Sequence, residues 1–129
     1  LNKNDSMLTH RHEIGIKQKW FAEVKEGMHR VMQYGTGRWY PIEGISQAGK
    51  TGTAQNPHGK DHAIFIGFAP VEDPQIAVAV VVENAGYGAT WACPVASMMM
   101  EQYLTGQVQR KDLRKKISSA VLNESVKKW

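Results

Sequence analysis

The sequence predicts an α+β domain, an antiparallel sheet with packed helices. Three observations predict it. Two stretches repeat apolar residues every three or four positions, as one face of a helix does. Two apolar, β-branched segments are joined by a short proline-bounded turn, as in a hairpin. Ahead of them lies a glycine- and threonine-bearing stretch with no helical period. With 129 residues and 42 % apolar content, the chain fits a single globular domain and excludes disordered and fibrous classes.

Residues 1–16 form an irregular polar lead. From Gln18 to Tyr34, Trp20, Phe21, Val24, Met28, Val31 and Met32 make one helical face. Gly35 stands where a C-terminal cap is expected, and Gly37 and Pro41 prevent continuation. Residues 45–55 read as a strand, and Asn56-Pro57-His58-Gly59 as a turn. His62–Ala69 and Gln75–Glu83 are the strongest strands. Both are apolar on two sides, which predicts central strands covered on both faces. Pro70-Val71-Glu72-Asp73-Pro74 connects them as a tight surface turn.

After a glycine-bearing loop, Asn84–Ala89, helical spacing returns over Trp91–Leu104 through Val95, Met98, Met99 and Gln102. Pro94 suits that helix's first turn, and Gly106 ends it. The Met98-Met99-Met100 run reads as core filler. Leu113, Ile117, Ala120 and Val121 give the last segment a weak helical stripe. The organisation is thus a lead at 1–16, a domain at 17–104 and a basic tail at 105–129.

The net charge of +4 belongs to that tail. Its seven basic residues face only Asp112 and Glu124, while residues 1–104 carry a slight acidic excess. The domain therefore has no electrostatic footprint for nucleic acid, and the tail reads as a solvated face. Cys93 is the one cysteine, so no internal disulfide organises the fold. The longest apolar runs are far short of the ~18–20 residues a membrane helix needs. His10 with His12, and His58 with His62, lack the partners that would complete a tetrahedral metal set, so no metal or cofactor is expected.

Gly44-Ile-Ser-Gln-Ala-Gly49-Lys50-Thr51 matches the phosphate-binding pattern G-x-x-x-x-G-K-[ST] letter for letter. That site needs Lys and Thr to open a helix after a buried strand. Here Gly52-Thr53-Ala54-Gln55-Asn56-Pro57 follows, which cannot make a stable helix. A nucleotide-binding module and a non-catalytic domain docking on cell-wall polymer or a partner are the alternative functions.

Read as a strand, Lys50-Thr51-Gly52 is the Lys-Thr-Gly box of penicillin-binding proteins and serine β-lactamases. It is followed by His62–Pro70, Pro74–Asn84, a Gly86/Gly88 loop and a helix with Pro94. Gly27-Met28 and Gly35-Thr36-Gly37 precede it. That succession, from about residue 17 to Leu104, resembles the C-terminal portion of a penicillin-binding protein transpeptidase domain. Within the family it resembles the class B, cell-elongation type, penicillin-binding protein 2.

The resemblance implies a peptidoglycan D,D-transpeptidase that crosslinks stem peptides through an acyl-serine and is acylated by β-lactams. Lys50, Thr51, Gly52 and Thr53 are its implied site residues. Alternation places the Thr51 and Thr53 hydroxyls on one strand face, about 6–7 Å apart. By resemblance they receive the carboxylate of a D-Ala-D-Ala stem or of a β-lactam. Lys50 adds positive charge, Gly52 lets the substrate backbone lie close, and the Thr53 N–H serves an oxyanion hole.

The family's nucleophile motif, Ser-x-x-Lys, precedes the box. Here it occurs only at Ser125-Val-Lys-Lys128, after it, and Ser-x-Asn is absent. The chain is therefore expected to be a C-terminal part of a longer protein and inactive alone. The resemblance places that parent at the periplasmic face of the inner membrane, anchored, beside a glycan polymerase of the elongation machinery. It also implies that earlier strands of the parent pair with Ile76–Val82, so this chain alone is expected to self-associate.

Overall fold

The computed structural model describes residues 14–122. Among these residues three helices and three strands follow in the order α1 (Gln18–Gln33), β1 (Ala48–Ala54), β2 (His62–Ala69), β3 (Ile76–Val82), α2 (Ala92–Thr105) and α3 (Lys111–Ser118). The strands form one antiparallel sheet in the order β1-β2-β3. Register pairs Thr51 with Phe65 and Phe65 with Val80, so these three share a face.

That face is the core side. Phe65 is fully buried there, together with Ala63, Ala69, Val80 and, from α2, Ala92, Cys93, Ala96 and Met100. Burying a phenylalanine side chain contributes about 1.5–3 kcal/mol, which makes Phe65 the anchor of the sheet. Its ring leaves no room for a side chain on either neighbouring strand position. A Cβ on Gly67 would stand 2.6 Å from the ring and 2.7 Å from the Ala48 carbonyl, and one on Gly49 would meet the ring as well. Both positions need glycine for space.

β3 departs from the expectation of two covered faces. Ile76, Val78, Val80 and Val82 face the core, whereas Ala77, Ala79 and Val81 are exposed. Among the described residues the strand is an edge strand, and α2 packs on only one side of it. α1 differs likewise. Met32 is buried and Met28 and Val31 are half-buried, but Trp20, Phe21 and Val24 on the same stripe are exposed. The helix docks on β1 through its C-terminal half. Gly35 is not a left-handed cap: a Cβ there would lie 2.9 Å from the Val31 Cα, so close packing explains the glycine. Gly106 does adopt the left-handed cap of α2, at φ 80°. The methionine run is split: Met100 is fully buried and Met99 is 48 % exposed.

The chain beyond α2 returns to the body. The Arg110 guanidinium pairs with the Glu101 carboxylate at 2.9 Å and donates to Ser97 Oγ at 3.0 Å and the Pro41 carbonyl at 2.9 Å. Glu101 also accepts the Gln109 N–H, and Ser97 donates to the Tyr40 carbonyl. In α3, Lys111, Arg114, Lys115 and Lys116 are exposed, while Leu113 and Ile117 are half-buried. Val121 is 84 % exposed and stands off the predicted stripe. Among the described residues no helix is long and apolar enough to cross a membrane. His10, His12 and the Ser125–Lys128 motif lie outside the described residues.

Candidate active site

Each residue of the Lys-Thr-Gly-Thr stretch lies within β1, an edge strand paired only with β2 among the described residues. Alternation and register put Thr51 and Thr53 on one face, opposite Phe65 and Ala63. Thr51 is half-buried and Thr53 exposed. Lys50 is exposed, and its ammonium donates to the Thr51 carbonyl at 2.6 Å. Among the described residues, the two ion pairs are Glu26–Arg30 and Glu101–Arg110. Lys50 belongs to neither.

Because Lys50 and Thr51 sit within a strand, no helix N-terminus stands behind them to bind a phosphate. The phosphate-binding letters arise from another cause. Gly49 is glycine because the Phe65 ring occupies the space over it.

β1 is fixed from both ends. On the α1 side, His29 Nδ1 donates to the Gln47 carbonyl at 2.7 Å, just ahead of the strand. A carbonyl only accepts, so the proton is on Nδ1, and Nε2 accepts from the Gln33 amide at 2.7 Å. Thr36, in the loop after α1, meets Thr51: their hydroxyl oxygens are 2.8 Å apart. From the other side, Gly88 lies against Gly52. A Cβ on Gly88 would overlap the Gly52 and Ile64 carbonyl oxygens and stand 3.1 Å from the Gly52 nitrogen.

A Cβ on Gly52 would meet only Ile64 Cβ, at 3.4 Å, and Cγ2. Gly88 therefore crosses the opposite face of the strand. A groove of about 230 Å³ lined by Phe21, Ala22, Lys25 and Val71 lies along α1, apart from the box.

Two of these contacts escape a reading of the sequence. Gly35-Thr36-Gly37 resembles the family, yet nothing in the spacing announces that Thr36 reaches Thr51 across 15 positions. Gly88 reads as a loop glycine, and its pairing with Gly52 depends on the three-dimensional return of the chain.

The arrangement can offer two hydroxyls, a lysine ammonium and the open edge of a strand to an extended anionic chain. The chain also resembles known proteins along most of its length. The penicillin binding protein transpeptidase domain model matches residues 5–101. The chain is 36 % identical to the peptidoglycan D,D-transpeptidase MrdA of Acinetobacter baumannii over 70 % of its own length and 15 % of that protein's.

Among solved structures, penicillin-binding protein A of M. tuberculosis, as a ceftriaxone acyl-enzyme complex, superimposes with a TM-score of 0.68 at 30 % identity. The match covers 74 % of this chain and 23 % of that one. Penicillin-binding protein 2 of Pseudomonas aeruginosa gives 0.62 at 36 % identity, over 78 % and 24 %. The chain thus spans about 15 % of the length of the curated relatives it matches. A Lys-Thr-Gly strand at a sheet edge, the helix that braces it, and a family match over most of the sequence lead to one conclusion: this chain belongs to the penicillin-binding protein transpeptidase domain family.

Proposed function

We propose that this chain is the substrate-holding part of a peptidoglycan D,D-transpeptidase of the cell-elongation type. The observation that carries the reading is the edge position of β1, with the Thr51 and Thr53 hydroxyls on one face and the Lys50 ammonium unclaimed by any carboxylate among the described residues. An extended stem peptide ending in D-Ala-D-Ala adds alongside such an edge, its main chain pairing with the strand. Thr51 and Thr53 receive its carboxylate, or that of a β-lactam, and Lys50 supplies the countercharge. The Thr53 N–H donates to the oxyanion formed as the carbonyl is attacked, and losing such a donor costs about 10²–10³ in rate.

The attacking serine belongs to a part of the protein ahead of this chain, since no Ser-x-x-Lys precedes Lys50 here. The parent is anchored in the inner membrane, works on its periplasmic side and pairs with a glycan polymerase. The uncharged, proline-free β3 edge is a template for another strand, and this chain alone self-associates through it.

The test is covalent labelling of the full-length protein by a fluorescent penicillin. Lys50→Ala is expected to cut labelling severely. Labelling at the parent rate would overturn the assignment of the box. The 129-residue chain alone is expected to keep its 14.4 kDa mass after penicillin treatment. Light scattering at rising concentration tests the β3 edge, and a clean monomer at all concentrations would refute it.

A further inference from the structure

Two asparagines far apart in sequence meet beside the box. The Asn56 amide, in the turn between β1 and β2, donates to Asn84 Oδ1 at 2.7 Å. Asn84 follows β3 and holds a left-handed conformation, φ 54°, which asparagine tolerates better than most residues. Its own N–H donates to His62 Nδ1 at 3.1 Å, and two residues later the Gly86 N–H donates to the Asp61 carbonyl at 2.7 Å.

On its other atoms Asn56 builds the turn itself. Its N–H donates to Asp61 Oδ1 at 3.1 Å, and its Oδ1 accepts from the His58 N–H at 3.0 Å. The chain then runs from Gly86 to Gly88, which lies on Gly52. Thr53 is therefore held between two pinned points: Gly52 under Gly88, and Asn56 under Asn84. Only three residues separate them.

We propose that Asn84 and Asn56 are positioning residues that aim the Thr53 N–H at the oxyanion. This rests on the transpeptidase reading and assigns a role to residues outside the Lys-Thr-Gly box. Neither asparagine touches substrate. Their bond fixes the end of β1 and the loop that returns to it, so the donor is in place before the carbonyl is attacked. A displaced donor loses part of its effect, because misplacement by as little as ~1 Å costs up to about 10²-fold.

The experiment measures, on the full-length protein, the noncovalent affinity for a fluorescent penicillin and the first-order acylation constant separately. Asn84→Gly keeps the positive φ and deletes the acceptor. Asn56→Ser keeps a hydroxyl acceptor for the His58 N–H, lacks the amide that reaches Asn84, and gives up besides only the longer 3.3 Å bond to the Lys60 carbonyl. Both are expected to lower the acylation constant about tenfold, with affinity and melting temperature near the parent's. Asn84→Asp restores an acceptor and is expected to return the constant to within about twofold of the parent.

Acylation of both Asn84→Gly and Asn56→Ser at the parent rate overturns the proposal while leaving the transpeptidase reading intact. So does a fall confined to melting temperature. An unsubstituted full-length protein that takes no label overturns both.

Discussion

Removing the Arg110 side chain tests whether the segment after α2 is part of the folded body or a solvated tail. The Glu101 side chain is only 5 % exposed and the Arg110 side chain 23 %. In Arg110→Ala the carboxylate keeps the Gln109 N–H but loses its countercharge, inside a protein interior. Breaking one side of a buried pair costs about 3–5 kcal/mol, and partial exposure of the arginine places this one near 3. In a domain of this size that lowers Tm by on the order of 10–20 °C.

The paired replacement Glu101→Leu with Arg110→Met removes both charges and fills the space. It is expected to recover at least half of the loss, because no unpaired charge remains. Circular dichroism melts in dilute solution measure both. An Arg110→Ala chain melting within about 2 °C of the parent would refute the reasoning, since a pair of this burial cannot be lost so cheaply. A double variant as unstable as the single would refute it too.

Four further outcomes follow from the structure. Gly88→Ala is expected to cost about 1–3 kcal/mol, because its Cβ strikes backbone atoms of Gly52 and Ile64 that cannot swing aside. Gly52→Ala meets only ordinary contact with Ile64, so its melt should match the parent's while penicillin acylation of the full-length protein falls; unchanged acylation would remove the close-approach role of Gly52.

Hydrogen bonding from Ser46 holds the Glu72 carboxyl below its usual range, so its contribution is complete above pH 4.5 and fades as pH falls through the lowered value. Ser46→Ala is expected to flatten the acid limb of Tm against pH. Burial pushes the Cys93 thiol up from 9.0 to about 12, so folding favours the neutral thiol; that contribution is constant below pH 9.0 and lost as pH rises toward 12. A thiol reagent at pH 8 should leave folded Cys93 untouched and modify it fully in denaturant.

Much of the fold was legible because its signals are local. The 3.6-residue period of 18–34 gives α1, the β-branched run gives β2 to the residue, and Gly106 marks the end of α2. Side-chain period fails where burial depends on what lies opposite. Ala77, Ala79 and Val81 are apolar whether or not anything covers them, so composition could not reveal that β3 is an edge. The same holds for Trp20 and Val24 on α1.

At the candidate site, Lys50 to Thr53 were legible as a motif. Thr36, Asn84 and Gly88 were not, because Thr36 and Gly88 meet the box, and Asn84 meets Asn56 beyond it, only through chain returns of 15 residues or more. Arg110 hid among neighbouring basic residues, and only its geometry separates it from them.

The three-strand order has a consequence for how amide protons are retained. β2 is bonded on both sides, so its N–H groups exchange with deuterium only when the sheet opens as a whole. β1 is bonded on one side, and its outward N–H groups face solvent in the absence of a neighbouring chain. Along β1, exchange should therefore alternate residue by residue between slow and fast, while β2 stays uniformly slow. A ligand that lies along the open edge would slow the fast set alone. Site occupancy in the full-length protein would then register as a change of period in the exchange pattern, from two to one, without any covalent label.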